Sequence, residues 1–182
     1  MQHRATLDEI GTVLDAVDLA AFEAACAAIA GARRIVLYGC GREALQVKGF
    51  AMRLFHLGLD VGVAGEMTAP PVGKGDLFFV SSGPGELATV LALIGQARQS
   101  GARSLVLTAE PAGSAARAAD QLLIVPAQTM ASDLKPGRSD LLPMGSVYEG
   151  ALFVLFEMMV LDLKARLGID DAAMRARHTN LE

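Results

Sequence analysis

A glycine-rich stretch at residues 81–86, Ser-Ser-Gly-Pro-Gly-Glu, has the composition of an anion-binding turn. It follows the apolar run Leu77–Val80, which is typical of a buried strand, and it precedes apolar residues at helical spacing. The backbone N–H groups of such a turn, and the start of the next helix, point beyond the end of the strand. The stretch therefore predicts a binding site for a phosphate or another anion.

A second glycine turn, Gly39-Cys40-Gly41, ends the β-branched run 34–38. Together with Ala44 it matches the looser form of the dinucleotide-binding fingerprint. That fingerprint needs an acidic residue at the end of the second strand, where Glu66 lies slightly too far along and Asp60 lies at the wrong end. The chain also has no room for a separate substrate domain. Nicotinamide binding and a purely structural tight turn are both left open.

Two titratable residues could do acid–base chemistry. Glu149 stands early in an apolar helical pattern, where it either stabilises the positive helix N-terminus or, if partly buried, acts as a general base. His178 lies in a polar tail, and the pattern alone indicates solvent-exposed chain. His56 is expected to be structural. No Cys/His spacing is typical of a metal site, and we expect no metal and no cofactor.

Composition restricts the class of protein and its partners. A chain of 182 residues, 52% of them hydrophobic, is long enough for one large core and too short for two. A net charge of -4 without a basic run argues against nucleic acid or an acidic membrane surface as a partner. Two cysteines and the absence of a signal-peptide pattern favour the cytoplasm. The apolar run 151–163 is too short to span a bilayer.

Strand and helix patterns alternate five times along the chain. The predicted strands are residues 34–38, 59–63, 76–81, 104–108 and 122–125. A helical segment at about 5–30 precedes them, and a mobile loop at 127–143 leads to a final helix and tail at 145–182. This alternation predicts one α/β domain, a three-layer αβα sandwich with a five-stranded parallel sheet of flavodoxin type. Ligands of such sheets bind beyond the carboxyl ends of the strands.

Several motifs together resemble a known family. They are Tyr38-Gly39-x-Gly41-Arg42, the helix segment 50–58, Gly65-Glu66, the segment 73–76, Met174, and the tail Arg177-His178-x-Asn180-Leu181-Glu182. The chain resembles sugar isomerase (SIS) domains over nearly its whole length, and most closely the 6-phospho-3-hexuloisomerases. The tail motif is the most specific of these features.

The resemblance implies an isomerase that interconverts a 3-keto hexulose 6-phosphate and fructose 6-phosphate through an enediolate. It implies Glu149 as the catalytic glutamate, and His178 as a tail histidine that reaches an active site, which we expect to belong to a neighbouring subunit. The expected assembly is a homotetramer or homodimer with active sites at subunit interfaces, and the expected ligand is a sugar or sugar phosphate. The expected substrate-binding residues are Gly41, Arg42, Glu43, Arg53, Glu66, Ser81, Ser82, Gly83, Gly85, Glu86 and Thr108.

The chain departs from the family pattern where phosphate should bind. Glu43 replaces a serine after the first strand, Pro84 and Leu87 replace hydroxyl residues after the third, and Ala109 replaces a serine after the fourth. Proline also removes a backbone N–H. We therefore expect an altered phosphate-binding site. Two alternatives stay open: an isomerase of a different or unphosphorylated sugar, and a non-catalytic SIS module that binds a sugar-like ligand.

Overall fold

Five parallel strands form a central sheet in the computed structural model, which describes residues 2–181. Met1 and Glu182, the last residue of the tail motif, lie outside the described residues. The strands are β1 (Ile35–Gly39), β2 (Val61–Val63), β3 (Leu77–Ser81), β4 (Arg103–Thr108) and β5 (Gln121–Ile124). Their order is β2-β1-β3-β4-β5, and every neighbouring pair is parallel. The predicted α/β sandwich is confirmed.

Seven helices surround this sheet among residues 2–181. They are α1 (His3–Asp15), α2 (Leu19–Ala30), α3 (Glu43–His56), α4 (Ala88–Gln99), α5 (Ser114–Ala118), α6 (Ser146–Leu167) and α7 (Asp171–Ala176). The N-terminal helical segment is two helices, because the Asp18 carboxylate accepts a hydrogen bond from Ala21 N at 2.7 Å and starts α2. None of the helices in the described part of the chain is long and apolar enough to cross a membrane.

The two faces of the sheet carry different helices. Ile35 and Leu37 point into a core shared with α1, α2, α3, α6 and α7, whereas Val36 points to the opposite core, built with α4 and α5. This alternation follows from the two-residue period of a strand. Since both faces are covered, β3 is buried at every position and is apolar except for Ser81.

Helix α6 is central to the thicker helical layer, because it packs against α1, α2 and α3. Its Phe156 ring stacks on Phe50 of α3, with centroids 4.4 Å apart and planes within 8°. Phe156 also lies 5.9 Å from the Phe79 ring of β3. These contacts hold α6 against both α3 and the sheet, and they set the position of its first turn, which carries Glu149.

The tail folds back onto the domain. Asp170 caps α7 by accepting a hydrogen bond from Ala173 N at 2.7 Å, and Met174 of α7 is buried. The Arg177 guanidinium donates to the carbonyl oxygens of His56 and Ala173, at 3.1 and 3.2 Å. His178 is thereby placed beside the end of α3. Residues 178–181 are exposed, as the pattern alone indicates, but the pattern did not predict α7 or the contacts of Arg177.

Truncating the aromatic contact should destabilise the fold. Phe156 is 3% exposed, so we expect Phe156→Ala to lower the unfolding free energy by about 3–5 kcal/mol through lost burial and a cavity. Urea denaturation measures the change. Leu134→Ala is the control, because Leu134 is 87% exposed and its truncation should change stability by less than about 0.5 kcal/mol. Equal effects of the two substitutions would contradict the packing described for α6.

Candidate active site

The carboxyl ends of β1 and β3 lie side by side, although β2 separates them in the sequence. After β1 the chain passes to α3 on one face of the sheet, and after β3 it passes to α4 on the other face. Such a reversal opens a crevice at the end of the strands, which is where doubly wound α/β proteins bind ligands. We call residues 40–42 the β1 turn and residues 82–87 the β3 turn.

A cavity of about 370 Å³ occupies this crevice. The β1 turn and the β3 turn form two sides, and the loop before α6 and the first turn of α6 close the others. Its lining residues are Cys40, Gly41, Arg42, Glu43, Pro84, Leu87, Thr129, Met130, Met144, Gly145, Tyr148 and Glu149. The lining therefore combines apolar side chains with two carboxylates and one guanidinium.

Glu149 is held in this cavity by Arg42. The Arg42 guanidinium makes a two-point contact with the carboxylate, with Nη2 2.6 Å from Oε2 and Nε 3.2 Å from Oε1, and it also donates to Ser146 Oγ at 3.1 Å. Partial burial raises the pKa of Glu149 above its ordinary value, and Arg42 opposes this rise. A desolvated carboxylate in a fixed orientation is the arrangement that a general base requires.

Glu43 forms a second, more enclosed carboxylate site. Its Oε2 accepts a hydrogen bond from Ser81 Oγ at 2.6 Å, and Gly83 N donates to Oε2 at 3.0 Å and to Oε1 at 3.2 Å. Burial raises the pKa of Glu43, the hydrogen bonds from Ser81 and Gly83 lower it in part, and the charge of Glu149 raises it. Glu43 thus binds the turn that the sequence predicts as an anion site.

Three helix N-termini converge on the cavity. Glu43 lies in the first turn of α3 and Glu149 in the first turn of α6, where the helix dipole stabilises negative charge. None of the three helices has a side-chain cap, and the start of α4 differs in that its first turn has no acidic residue. The helix dipoles stabilise the charges of both glutamates, and this structural role is compatible with a role in catalysis or binding.

The remaining residues of the β3 turn support its shape. Gly85 has φ of +76°, and a Cβ there would lie 2.9 Å from Glu110 Cβ, so glycine is required. Thr108 Oγ1 donates to Gly83 O at 3.2 Å and accepts from Glu110 N at 3.1 Å. The Ser82 hydroxyl is buried and has no hydrogen-bond partner among the described residues. Thr108 therefore braces the turn.

Glu86 does not enter the cavity. Its carboxylate accepts hydrogen bonds from Ser114 N at 2.7 Å and Ser114 Oγ at 2.6 Å, at the start of α5. These bonds lower the pKa of Glu86. The structure thus gives Glu86 a contact with α5, although its position in the turn predicts a substrate-binding residue.

Arg53 and Glu66 also lie away from the cavity lining. Arg53, in the second half of α3, pairs with Glu157 of α6, with Nε 3.1 Å from Oε1. Glu66 follows β2 and pairs with Lys48 of α3 at 2.6 Å. Arg53 lines a separate apolar groove between α3 and α6. Within one chain, neither residue reaches the Arg42–Glu149 pair.

His178 lies at the other end of α3. Its ring centroid is 5.2 Å from that of His56, and both rings border a second cavity of about 340 Å³. Helix α3 has 14 residues, so its ends are about 20 Å apart at 1.5 Å per residue. A single chain therefore does not bring His178 to Glu149.

Sequence reasoning missed several lining residues. Tyr148 is 1% exposed, and its hydroxyl lies 3.4 Å from Ser81 Oγ. Its position directly before Glu149 was the available signal. Met144 is the single non-glycine residue with positive φ among residues 2–181, at 59°, but no sequence pattern marks it. Thr129 and Met130 come from the irregular loop, where spacing predicts no side-chain direction.

The sheet order and the crevice define a doubly wound α/β protein. Residues 28–152 match the SIS domain family, and the chain belongs to that family. The 3-hexulose-6-phosphate isomerase of Bacillus subtilis (strain 168) is 32% identical over 155 residues, which are 85% of this chain and 83% of that protein. The 3-hexulose-6-phosphate isomerase of Methylomonas aminofaciens is 35% identical over 83% of this chain and 82% of that protein.

A solved structure agrees with these relatives. The crystal structure of a hypothetical protein from Methanococcus jannaschii superposes with a TM-score of 0.84, at 26% identity, over 97% of this chain and 98% of that chain. That crystal structure was used to infer a function of 3-hexulose-6-phosphate isomerase. The resemblance that the motifs indicated is confirmed.

Glu43→Gln should change the pH dependence of stability. Burial raises the folded-state pKa of Glu43 above the ordinary value of 4.5, so the folded protein holds this proton more tightly than the unfolded chain. The resulting stabilisation is complete below about pH 4.5 and is lost as the pH rises through the folded-state pKa. Urea denaturation at several pH values should show wild type losing stability relative to Glu43→Gln across this window. Parallel pH profiles would contradict the buried placement of Glu43.

Proposed function

We propose that this chain is a sugar isomerase of the 3-hexulose-6-phosphate isomerase type, with an altered phosphate-binding site. The observation that carries the proposal is the partly buried Glu149 carboxylate, held by Arg42 in the crevice at the ends of β1 and β3. The named relatives act as 3-hexulose-6-phosphate isomerases, and they cover most of this chain. We place the reaction in the cytoplasm, as the composition favours.

The reaction moves a ketone between adjacent carbons. Glu149 removes the proton from the carbon that bears a hydroxyl, and the electron pair forms the double bond of an enediolate while the neighbouring carbonyl oxygen takes up negative charge. Glu149 then returns its proton to the former carbonyl carbon, while the hydroxyl proton moves to the oxygen of the former carbonyl, so that the ketone and the hydroxyl have exchanged places. Arg42 orients the base and supplies positive charge beside the developing oxyanion.

His178 is proposed as the proton shuttle for the oxygens, supplied by a neighbouring copy of the chain. Support comes from its separation from Glu149 within one chain. Apolar side chains are also exposed along α3 and α6, and a continuous apolar surface favours association. The exposed set is Leu45, Met52, Phe55, Phe153, Met158 and Leu161. A homotetramer or homodimer with shared sites is the assembly that we propose.

The sugar is proposed to lie between the β1 turn and the β3 turn. Gly41, Ser81, Gly83 and Gly85 shape this side of the crevice, with the buried Ser82 hydroxyl among them. Pro84, Leu87 and Ala109 supply none of the hydroxyls expected from the family pattern. The site therefore holds its ligand with fewer donors than a phosphate-binding turn of that pattern.

Glu149→Gln tests the proposed base. The substitution keeps the size of the side chain and removes the proton acceptor, so we expect turnover of hexulose 6-phosphate or hexulose to fall by about 10²–10⁴-fold. The same step is measured by the exchange of the carbon-bound proton of the sugar with deuterated water, which is monitored by nuclear magnetic resonance. Unchanged turnover would remove Glu149 from the mechanism.

Glu157→Gln is the matched control for this experiment. Glu157 lies two turns further along α6 and also pairs with an arginine of α3, but it does not line the cavity. We expect turnover within about twofold of wild type when the oligomeric state is the same. If wild type binds a sugar and never exchanges a proton, the chain is the non-catalytic SIS module instead.

Mixed assemblies test the shared site. When Glu149→Gln and His178→Ala chains are co-expressed with different tags in equal amounts, a site built from two chains receives both native residues in about a quarter of cases. Turnover of the purified mixture should therefore reach about a quarter of the wild-type value. If each site uses its own His178, the mixture will show no more turnover than the two parent variants.

A further inference from the structure

The Glu43 carboxylate occupies the position at which a ligand anion would accept hydrogen bonds from the β3 turn. Ser81 Oγ donates to it at 2.6 Å, and Gly83 N donates at 3.0 and 3.2 Å to its two oxygens. A carboxylate and a phosphate compete for the same donors, because both are anions that accept hydrogen bonds in a planar or tetrahedral array of oxygens. The protein thus supplies its own anion here.

The other backbone donors between residues 82 and 85 are also in use, whereas the buried Ser82 hydroxyl has no hydrogen-bond partner among the described residues. Ser82 N donates to Leu107 O at 2.9 Å, and Gly85 N donates to Ser82 O at 3.0 Å. Pro84 has no N–H to offer. Between residues 82 and 85, therefore, every backbone N–H already has an acceptor within the chain.

The charges of the cavity lining also disfavour a phosphate at the β3 turn. Glu43 and Glu149 supply two negative charges, and Arg42 supplies the positive charge. Arg42 is already paired through two contacts with Glu149. A phosphate dianion placed against the β3 turn would meet the Glu43 carboxylate at short range in a partly desolvated site, where repulsion is strong.

We propose that Glu43 selects a sugar without a phosphate group at the end that faces the β3 turn. This inference rests on the proposed isomerase function and names its substrate class. A carboxylate accepts hydrogen bonds and donates none, so sugar hydroxyls complement it and a phosphate dianion does not. Leu87, Pro84, Met130 and Met144 supply apolar side chains to the cavity lining, where they suit the C–H groups of a neutral sugar.

Isothermal titration calorimetry on wild type, Glu43→Ser and Glu43→Gln tests the proposed role of Glu43. The ligands are inorganic phosphate, fructose 6-phosphate and fructose, at pH 7.5. Glu43→Ser frees the Ser81 and Gly83 donors and removes the charge, so it should bind phosphate and fructose 6-phosphate at least about tenfold more tightly than wild type. Glu43→Gln removes the charge but still fills the position, so its gain should be smaller. Thermal melts verify that all three proteins are folded.

Two results would overturn the proposal. One is wild type binding fructose 6-phosphate as tightly as Glu43→Ser does, which would show that Glu43 moves aside for phosphate. The other is no gain of phosphate binding in Glu43→Ser, which would show that the β3 turn is not the anion position. Stronger binding of fructose than of fructose 6-phosphate by wild type supports the proposal further.

The failure of the isomerase function is detected separately. Proton exchange into fructose and fructose 6-phosphate is measured for wild type, Glu43→Ser and Glu149→Gln. If Glu43→Ser gains phosphate binding while none of the proteins exchanges a proton, the role of Glu43 stands and the isomerase proposal fails. If wild type exchanges protons of fructose 6-phosphate as fast as Glu43→Ser does, the isomerase proposal stands and the selection by Glu43 fails.

Discussion

The convergence of helix N-termini at one edge of the sheet is the constraint on which the candidate site depends. Helices α3, α4 and α6 all begin beside the ends of β1 and β3, so three partial positive charges face one cavity. Such a site attracts anions, and here two glutamates of the protein supply them. Arg42, the N-cap residue of α3, links the helix starts by contacting both Glu149 and Ser146 of α6. The same electrostatics that bind a ligand anion in other sites stabilise fixed carboxylates in this one.

Much of the architecture was predictable, because the three central strands end at Gly39, Ser81 and Thr108 and the longer helices show apolar residues at helical spacing. The buried runs before Gly39 and after Asp76 predicted two parallel strands, and the structure pairs them, with Gly39 opposite Ser81 at the shared edge. That pairing brings the β1 turn and the β3 turn together, as the motifs required. Glu149 was placed correctly at the start of α6, since its distance from Gly145 fixes it in the first turn.

The directions of the side chains were not predictable. Glu86 follows Gly85 directly, yet its carboxylate accepts hydrogen bonds from Ser114, a residue 28 positions away. Glu43 follows the β1 turn, and its contact with Gly83 depends on how closely β1 and β3 approach. The spacing of residues along the sequence does not reveal the contact of Glu86 with Ser114 or that of Glu43 with Gly83. The position of His178 depends on the packing of α7, which buries Met174 and lays Arg177 over the carbonyl of His56.

The two arginine–glutamate pairs between α3 and α6 show that position decides chemistry. Arg42–Glu149 and Arg53–Glu157 use the same residue types on the same two helices, at 2.6 and 3.1 Å. Only the first pair lies at the carboxyl edge of the sheet, where burial and the helix N-terminus act on the carboxylate. The second pair lies beside an apolar groove that has no turn donors. The Arg42–Glu149 pair is therefore a candidate catalytic group because a glycine turn and a helix N-terminus lie beside it. Glu43 also affects this site, because its carboxylate is bound to the β3 turn and so changes which ligand can reach the Arg42–Glu149 pair.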